Sequence, residues 1–179
     1  KLPEHDCHQI GHHCMSIDTD TFKKTMRTWV SGVTIVATSV GLRGAGVTVS
    51  SFTSISVEPP LILISLQNYI ETFKLIEQTN TFAISILAHD QAQLSAQFAG
   101  FVKLPDGADK FYDVNLMTAE TGAPILKDAV AWLDCRLAAI YEAGISRIVV
   151  GEVVATGQRE GILPLAYHNR GYYNLVAQE

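Results

Sequence analysis

The residues of this sequence that most invite chemistry form a run of small hydroxyl side chains beside a strongly apolar stretch. Between Thr48 and Ser56, six of nine side chains carry a hydroxyl group, and no charged residue lies between Val47 and Val57. A Pro-Pro pair and the apolar run "LILISL" follow. Exposed threonine and serine are compatible with an ordinary strand, but its wet face usually carries lysine and glutamate as well. The absence of charge therefore favours a neutral pocket for a polar, anionic or carbonyl-rich ligand.

Two other chemistries receive less support from the same region. The segment "GLRGAG" contains glycines, but their spacing does not match the phosphate-binding fingerprints and no helix is predicted after it, so we interpret it as a hairpin turn. A hydrolase nucleophile at Ser50 or Ser51 stays an alternative. Neither serine stands in a G-x-S-x-G context or has a histidine or an acid beside it in the sequence.

The amino-terminal segment, residues 1–16, is rich in histidine and cysteine, and we expect it to lie outside a folded domain at residues 17–179. Zinc accepts such side chains as ligands, but Gly11 would interrupt a helix and the spacing matches no common zinc finger. We therefore predict no specific metal site and keep a site in this segment as an alternative. Its ligands would be Cys7, His8, His12 and Cys14.

Composition excludes several classes of protein. The net charge of −5 argues against a nucleic-acid-binding protein, and no apolar run has the length of a membrane span. Three cysteines are too few for a disulfide scaffold, and Cys135 is predicted to be a packed core thiol. We expect a cytoplasmic protein. The low charged fraction, 17%, also predicts a buried interface between subunits.

The periodic patterns predict six or seven strands and two or three interspersed helices. Most strands are joined by short turns, which favours a mainly β, closed antiparallel barrel with helical inserts over a doubly wound parallel sheet. The first helix should place Phe22, Met26, Trp29 and Val30 on one face. The predicted helices are 18–32, 68–78 and 89–100, with a loop at 101–127. The predicted strands are 33–39, 46–53, 61–66, 81–87, 129–140, 145–157 and 164–176.

Several segments together resemble the flavin reductase-like family, from about Phe22 to Leu175. They are "WVSGVTIVATS", "GAGVTVSSFTSISVEPPLILISLQ", "TFAISIL", "LSAQFAG", "VVGEVVA" and "LAYHNRGYYNL". Members of this family are small reductases with an FMN-binding split β-barrel, and they supply reduced flavin to two-component monooxygenases. The resemblance implies a homodimer with each flavin site near the subunit interface, a bound FMN or FAD, and NADH or NADPH as the hydride donor.

The resemblance also implies which residues contact the flavin. The hydroxyl-rich block and the end of the following strand fall on segments that contact the ring and ribityl chain. Thr72 falls at the flavin phosphate, near the start of a helix whose free N–H groups favour an anion. Lys103 would add charge there, and the segment "QFAGF" would wrap the flavin. The implied residues are Val47, Thr48, Val49, Ser50, Ser51, Ser65, Leu66, Gln67, Thr72, Phe98, Gly100, Phe101 and Lys103.

One departure from the family pattern concerns the hydride donor. Many relatives have Gly-Asp-His before the "VVGEV" strand, and the histidine helps to seat the nicotinamide. This chain reads Gly144-Ile145-Ser146-Arg147, so Ser146 stands where the histidine would be. We expect weaker nicotinamide binding in consequence. Arg147 either binds a nucleotide phosphate in compensation or is a surface charge, and the sequence leaves both open.

The activity that the resemblance implies is hydride transfer from NAD(P)H to flavin, which leaves for a partner oxygenase or another acceptor. The cofactors carry this chemistry, so no catalytic side chain is expected. Two alternatives stay open. One is an electron-transfer flavoprotein of the same fold that holds FMN tightly, which Ser146 favours. The other is a non-enzymatic flavin-binding or dimerisation module, because fold does not by itself prove activity.

Overall fold

The computed structural model describes residues 17–176, which form strands for the most part, with three short helices between them. The helices are α1 (Thr19–Met26), α2 (Glu71–Thr79) and α3 (Ala92–Ala99). The strands are β1 (Ser31–Gly32), β2 (Thr34–Val40), β3 (Arg43–Val49), β4 (Thr53–Val57), β5 (Pro60–Gln67), β6 (Thr81–Ile86), β7 (Leu116–Met117), β8 (Ile125–Leu126), β9 (Ala131–Ala143), β10 (Ser146–Gln158), β11 (Ala166–His168) and β12 (Gly171–Tyr173).

A seven-stranded antiparallel sheet carries the core, in the order β3-β2-β6-β9-β10-β5-β4. A smaller sheet, β1-β11-β12, and the β7-β8 ribbon stand beside it. The prediction of a mainly β, antiparallel fold with helical inserts is confirmed. The ladder is open, however, because β3 and β4 are its two edges and do not pair with each other. The prediction of a closed barrel is wrong in this respect, and the split that results positions the site.

The core lies where the long β9–β10 hairpin packs against β6. Phe82, Ile84 and Cys135 are fully buried there, together with Val149 of β10. Burial, and after it the charge of Asp134, raises the pKa of the Cys135 thiol to about 12. The prediction that Cys135 is a packed core thiol is confirmed, and its thiol is unreactive near neutral pH because the thiolate is the reactive form.

The first helix is shorter than predicted. The sequence predicts a helix over 18–32, but α1 ends at Met26, and Ser31–Gly32 form β1, which pairs with β11. The last two residues of the predicted helix therefore pair with β11, a strand that is distant in the sequence. None of the residues of α1 is buried, so the predicted apolar face, which includes Trp29 beyond the helix end, remains exposed.

The predicted strand 46–53 is two strands in the structure. β3 pairs with β2 as far as Val49, whereas β4, starting at Thr53, pairs with β5. The chain must cross from one edge of the sheet to the other between them, at residues 50–52. The strand β3 also begins at Arg43, inside the segment predicted to be a turn. Within the described part of the chain, none of the helices has the length and apolarity needed to cross a membrane.

Candidate functional site

The gap between β3 and β5 is bridged by a side chain where a strand-to-strand ladder would otherwise lie. The hydroxyl of Ser51 donates to the carbonyl oxygen of Ser65 (2.9 Å) and accepts from the Ser65 N–H (3.0 Å). The pairing of β4 with β5 ends at Leu63, so Ser65 has no strand partner on this side. One end of the gap is therefore fixed by Ser51, and the rest of it is open to a ligand.

The backbone of β3 faces this gap. The Gly46 carbonyl accepts from the ammonium group of Lys110 (3.4 Å), so it points away from β2. Thr48 lies two residues further along and presents its N–H and C=O in the same direction, because backbone groups alternate along an antiparallel strand. The edge strand thus offers donors and acceptors that the sheet does not use.

A cavity of about 390 Å³, called the ring cavity below, lies in this gap. It is lined by residues that were predicted to contact the flavin. Ser146 also lies here because β10 pairs with β5 in a register that sets Ser146 opposite Gln67. The side chain of Ile70, which the sequence did not single out, completes the wall. The lining residues are Val47, Thr48, Val49, Ser50, Ser51, Ser65, Leu66, Gln67, Ile70 and Ser146.

Not every hydroxyl group of the block is available to a ligand. Thr48 donates its hydroxyl to the Ser95 carbonyl oxygen (2.6 Å), and Ser51 is bound to Ser65, so both hold the scaffold. The hydroxyls of Ser50 and Ser65 bond to no other side chain or backbone group in residues 17–176. Val49 and Leu66 are buried and can offer a ligand only their backbone.

A second cavity of about 330 Å³ continues from the first, sharing Val47 and Ile70 with it. It ends at the start of α2, where Ile70 is the N-cap and its side chain caps no N–H group. Free N–H groups and the helix dipole favour an anion at this point. Thr72 is only 3% exposed, lines the cavity, and its hydroxyl has no hydrogen-bond partner in the part of the chain that the structure describes.

Lys110 supplies the positive charge in this second cavity. Its ammonium group donates to the carbonyl oxygens of Phe98 (2.7 Å) and Gly46 (3.4 Å), and burial lowers its pKa. The acidic residues in the lining have partners of their own: Glu71 forms an ion pair with Arg43, and Asp109 accepts from the Phe111 N–H. The cavity therefore presents a cation, a hydroxyl and a helix start to one ligand group.

Lys110 was missed by sequence analysis, which placed Lys103 near the phosphate. Lys103 is exposed and lines neither of these cavities. The only signal for Lys110 was a lysine before an aromatic residue in a predicted loop, which is not specific. Its position depends on two aromatic contacts that the sequence does not reveal.

Those contacts hold the loop against β3. The Phe98 ring is fully buried and lies on Gly46, where an added Cβ would come within 2.5 Å of it. Phe111 meets Phe98 edge to face, with ring centroids 5.2 Å apart, and lies on Gly44 in the same way. The side chain of Phe98 is thus part of the core, and only its backbone can reach a ligand.

The other residues of the "QFAGF" segment border the gap. Gly100 ends α3 with φ +83°, a conformation that favours glycine. Phe101 follows and is 86% exposed. Its ring lines a small cavity of about 170 Å³ that also contacts Thr48 and Ser50. The predicted contact segment therefore lies beside the ring cavity.

Arg147 is already engaged by neighbours. Its guanidinium lies 3.0 Å from a carboxylate oxygen of Glu142 on the adjacent strand and donates to the Ser146 carbonyl oxygen (3.1 Å). This pair supports the interpretation of Arg147 as a surface charge over that of a phosphate ligand. Ser146 itself is half-buried at the ring cavity.

The described residues do not support the metal-site or the hydrolase alternative. Within residues 17–176, no three metal-ligating side chains cluster closely enough to hold an ion. Cys7, His8, His12 and Cys14 lie outside the described residues. The cavities that reach Ser50 and Ser51 contain no histidine among their described lining residues that could act as a base.

The comparisons with known proteins agree with this geometry. The family model "Flavin reductase like domain" matches residues 26–176. The reductase component of 4-hydroxyphenylacetate 3-monooxygenase from Thermus thermophilus is 36% identical over 157 residues, which are 88% of this chain and 97% of that protein. The NADH-dependent FAD reductase of Streptomyces globisporus is 36% identical over 137 residues, or 74% of each chain. The solved structure of the flavin reductase PheA2 superposes with a TM-score of 0.82 at 30% identity, covering 90% of this chain and all of that one. The chain belongs to the flavin reductase-like domain family.

Proposed function

We propose that this protein is an NAD(P)H:flavin oxidoreductase that reduces FMN or FAD and releases the reduced flavin to a partner monooxygenase component. The observation that carries the proposal is the split between β3 and β5, because it joins an uncharged cavity of unpaired backbone groups to an anion pocket at α2. A flavin mononucleotide has the same two parts, a ring system with carbonyl groups and a terminal phosphate. When bound, the flavin supplies the hydride-accepting chemistry.

The ring end of the site binds by hydrogen bonds without adding charge. The outward backbone groups of Thr48, and the free hydroxyls of Ser50 and Ser65, are placed to bond ring carbonyls, ring nitrogens and ribityl hydroxyls. Donors fixed by a sheet need no reorganisation when negative charge develops on a reduced ring, and they act in a site from which Val47 and Ile70 exclude part of the water.

The phosphate end binds by charge and by helix geometry. Lys110 offers an ammonium group, Thr72 an unpaired hydroxyl that reaches the cavity, and α2 its first N–H groups. Hydrogen bonds that involve a charged group are worth about 1.5–3 kcal/mol each, roughly twice those between neutral groups. Lys110 therefore makes the largest single contribution to the difference in affinity between FMN and riboflavin.

The nicotinamide of the donor lies at Ser146. This serine lines the ring cavity, so a donor stacked on the flavin would contact it. A serine hydroxyl is short and offers no ring to pack on the nicotinamide. Arg147 is engaged by Glu142, so it does not compensate, and binding at this end of the donor is weak.

The tight electron-transfer flavoprotein is the second candidate function, and the same serine favours it. A protein with little affinity for nicotinamide could keep its FMN and exchange electrons with other proteins. Steady NADH oxidation with added free flavin, followed by the loss of dihydronicotinamide absorbance, distinguishes the two. Many turnovers per protein molecule support the reductase, whereas a yellow protein that turns over only its own flavin supports the shuttle.

The protein is also proposed to be a homodimer. The edge strand β4 leaves Ile55 46% and Val57 88% exposed, and an uncovered apolar edge strand tends to pair with another chain. A second copy of the chain is the proposed occupant, and it places the flavin sites near the interface. Sedimentation at micromolar concentration tests this, and a 19.5 kDa species alone would contradict it. A cytoplasmic location and a folded domain that starts at residue 17 remain predictions, to be tested by cell fractionation and limited proteolysis.

A further inference from the structure

The second cavity, which ends at the start of α2, contains a lysine whose amino group is held from one side only. Two of the hydrogens on the Lys110 nitrogen point to carbonyl oxygens, those of Phe98 (2.7 Å) and Gly46 (3.4 Å). In the described part of the chain Lys110 forms no ion pair with an acidic residue. The third position on this tetrahedral nitrogen is therefore left for the cavity that Lys110 lines. When the proton there is lost, the lone pair takes its place.

The surroundings of Lys110 favour the form of the amine that can react. Burial lowers its pKa, so a larger share of the amine is neutral at a given pH than in an exposed lysine. A lysine amine that is partly removed from water is an activated nucleophile, because only the neutral form attacks. Lys103 lies earlier in the same loop, is exposed, and lines neither the ring cavity nor the second cavity. The loop thus carries one activated lysine and one ordinary lysine.

The same cavity selects the electrophile that this amine would meet. The start of α2 and the unpaired hydroxyl of Thr72 favour a phosphate, so a reagent that carries a phosphate is held beside Lys110. In an acyl phosphate a single bridging oxygen separates the phosphorus from the carbonyl carbon. In a coenzyme A thioester the phosphates lie far from the acyl group. A cavity of about 330 Å³ therefore suits a small acyl phosphate, whose reactive carbon would lie next to the anion pocket.

We propose that Lys110 is a site of acylation by a small acyl phosphate, and that this modification weakens flavin binding. The inference rests on the proposed function, because a reductase that releases its flavin leaves this cavity empty between turnovers. The neutral amine attacks the carbonyl carbon, a C–N bond forms, and the C–O bond to the phosphate breaks. The electron pair of that bond leaves with the phosphate. Of the two protons that the ammonium group loses, one goes to the phosphate and the other to solvent.

Acylation changes the charge of the cavity and adds bulk to it. The product is an amide, which has no positive charge and only one N–H group to donate. The charged hydrogen bond from Lys110 to the flavin phosphate is lost, so FMN affinity should fall about tenfold or more. Riboflavin has no phosphate, so its affinity should change much less. The modification thus acts on the phosphate end of the site and leaves the ring cavity as it is.

Acetyl phosphate is the probe, added to the flavin-free protein, and peptide mass spectrometry measures the rate at each lysine. Lys110 should be acetylated at least about tenfold faster than Lys103, because a bound reagent reacts as if within one molecule. FMN and inorganic phosphate should both protect Lys110, and riboflavin should protect it far less. The N-hydroxysuccinimide ester of acetic acid is the comparison reagent. It carries no phosphate, so inorganic phosphate should not slow its reaction with Lys110.

Three variants separate the pocket from the amine. Thr72→Val should slow acetylation of Lys110 by acetyl phosphate about tenfold or more, since it removes a hydrogen bond to the charged phosphate, and should leave the rate with the ester unchanged. Lys110→Arg keeps the charge but offers no amine to acylate, so acetyl phosphate should not lower its FMN affinity. Lys103→Arg is the matched control and should lose FMN affinity on treatment as the parent does. Circular dichroism before and after treatment checks that the fold is intact.

The outcomes distinguish this site from a merely reactive lysine and from a failure of the proposed function. The assignment is overturned if acetyl phosphate modifies Lys110 no faster than Lys103, or if inorganic phosphate gives no protection. It is also overturned if the ester shows the same preference for Lys110 and the same protection by phosphate. If Lys110 is acetylated selectively and phosphate protects it, but FMN neither protects it nor loses affinity, the acylation site stands. In that case the effect on flavin and the phosphate end of the proposed function both fail.

Discussion

Two parts of the same sheet use their backbone in opposite ways. Where β6, β9 and β10 lie side by side, each strand pairs with neighbours, and the fully buried Phe82 ring packs on Gly151 so closely that an added Cβ would lie 2.5 Å from it. Between β3 and β5 the ladder stops, and backbone groups face a cavity. The candidate site therefore lies where strand pairing ends, and its described lining residues include no histidine, cysteine or carboxylate.

Polar groups show the same contrast. In the packed region the buried carboxylate of Asp134 accepts from the Thr121 N–H (2.7 Å) and its hydroxyl, and the Ser85 hydroxyl accepts from the Leu126 N–H (3.0 Å). Each polar group there is satisfied by the chain itself. In the split, the Ser65 and Thr72 hydroxyls are left for a ligand. The following substitutions act on one region or the other, from the largest expected effect to the smallest.

Replacing Lys110 by Met should weaken FMN about 10- to 100-fold and riboflavin hardly at all. The reason is the loss of a charged hydrogen bond to the phosphate, worth about 1.5–3 kcal/mol. Fluorescence titration of the apoprotein with both flavins measures it. Lys103→Met is the matched control and should leave both affinities unchanged, because Lys103 is exposed outside the site. Equal losses for FMN and riboflavin would place Lys110 away from the phosphate.

The pH dependence of FMN binding is a second test of whether Lys110 contacts the phosphate. Burial lowers the pKa of Lys110, so its ammonium group loses its proton at a lower pH than an ordinary lysine. Only the charged form attracts a phosphate, so FMN affinity should fall as pH rises through the lowered pKa. Riboflavin affinity should not follow this trend, and Lys110→Met should abolish it. A FMN affinity that stays flat up to the ordinary pKa of lysine, about 10.4, would contradict the assignment.

Adding one methyl group at Gly151 should destabilise the fold by about 1–3 kcal/mol without changing flavin affinity per folded molecule. The new Cβ would meet the Phe82 ring at 2.5 Å and Cys135 at 3.1 Å, which overpacks the core. Urea unfolding measures the effect. Gly32→Ala is the control, since a Cβ there meets nothing within 4 Å. A loss of flavin binding in folded Gly151→Ala would show that the two regions are coupled.

The Ser51→Ala substitution should lower the affinity for both flavins about two- to tenfold. It removes the bridge to the Ser65 backbone, whose two hydrogen bonds are worth about 0.5–1.5 kcal/mol each, and lets the split widen. Isothermal titration with FMN and riboflavin measures it. Ser54→Ala, on the exposed face of β4, is the comparison and should have no effect. Identical affinities in the two variants would show that the bridge does not shape the site.

Ser146→His should lower the KM for NADH or NADPH about two- to tenfold, the value of one neutral hydrogen bond, with little change in FMN affinity. The added imidazole would offer a ring and a donor to the nicotinamide at the edge of the ring cavity. Initial rates with both donors, measured beside the parent protein, provide the test. An unchanged KM for both donors would remove Ser146 from the donor site.

Most residues that line the ring cavity were predicted to lie together, because they come from two continuous segments of the sequence. Residues 47–51 and 65–67 are local patterns that β3 and β5 bring to the two sides of the split, and the pairing of β10 with β5 adds Ser146. Lys110 could not be predicted, since its position depends on rings from α3 and its own loop that pack on Gly46. The end of α1 was wrong for the same reason: pairing of β1 with β11 is a long-range contact that helix periodicity does not report.

Titration of the apoprotein and its Thr72→Val variant with FMN and with riboflavin tests the central claim most directly. The account predicts saturable binding of both flavins to the parent protein, and a loss of about tenfold or more in the variant for FMN only, because riboflavin has no phosphate to bond the unpaired Thr72 hydroxyl at α2. Absence of any saturable change in flavin fluorescence up to high micromolar concentration, or an equal loss for both flavins, would contradict it.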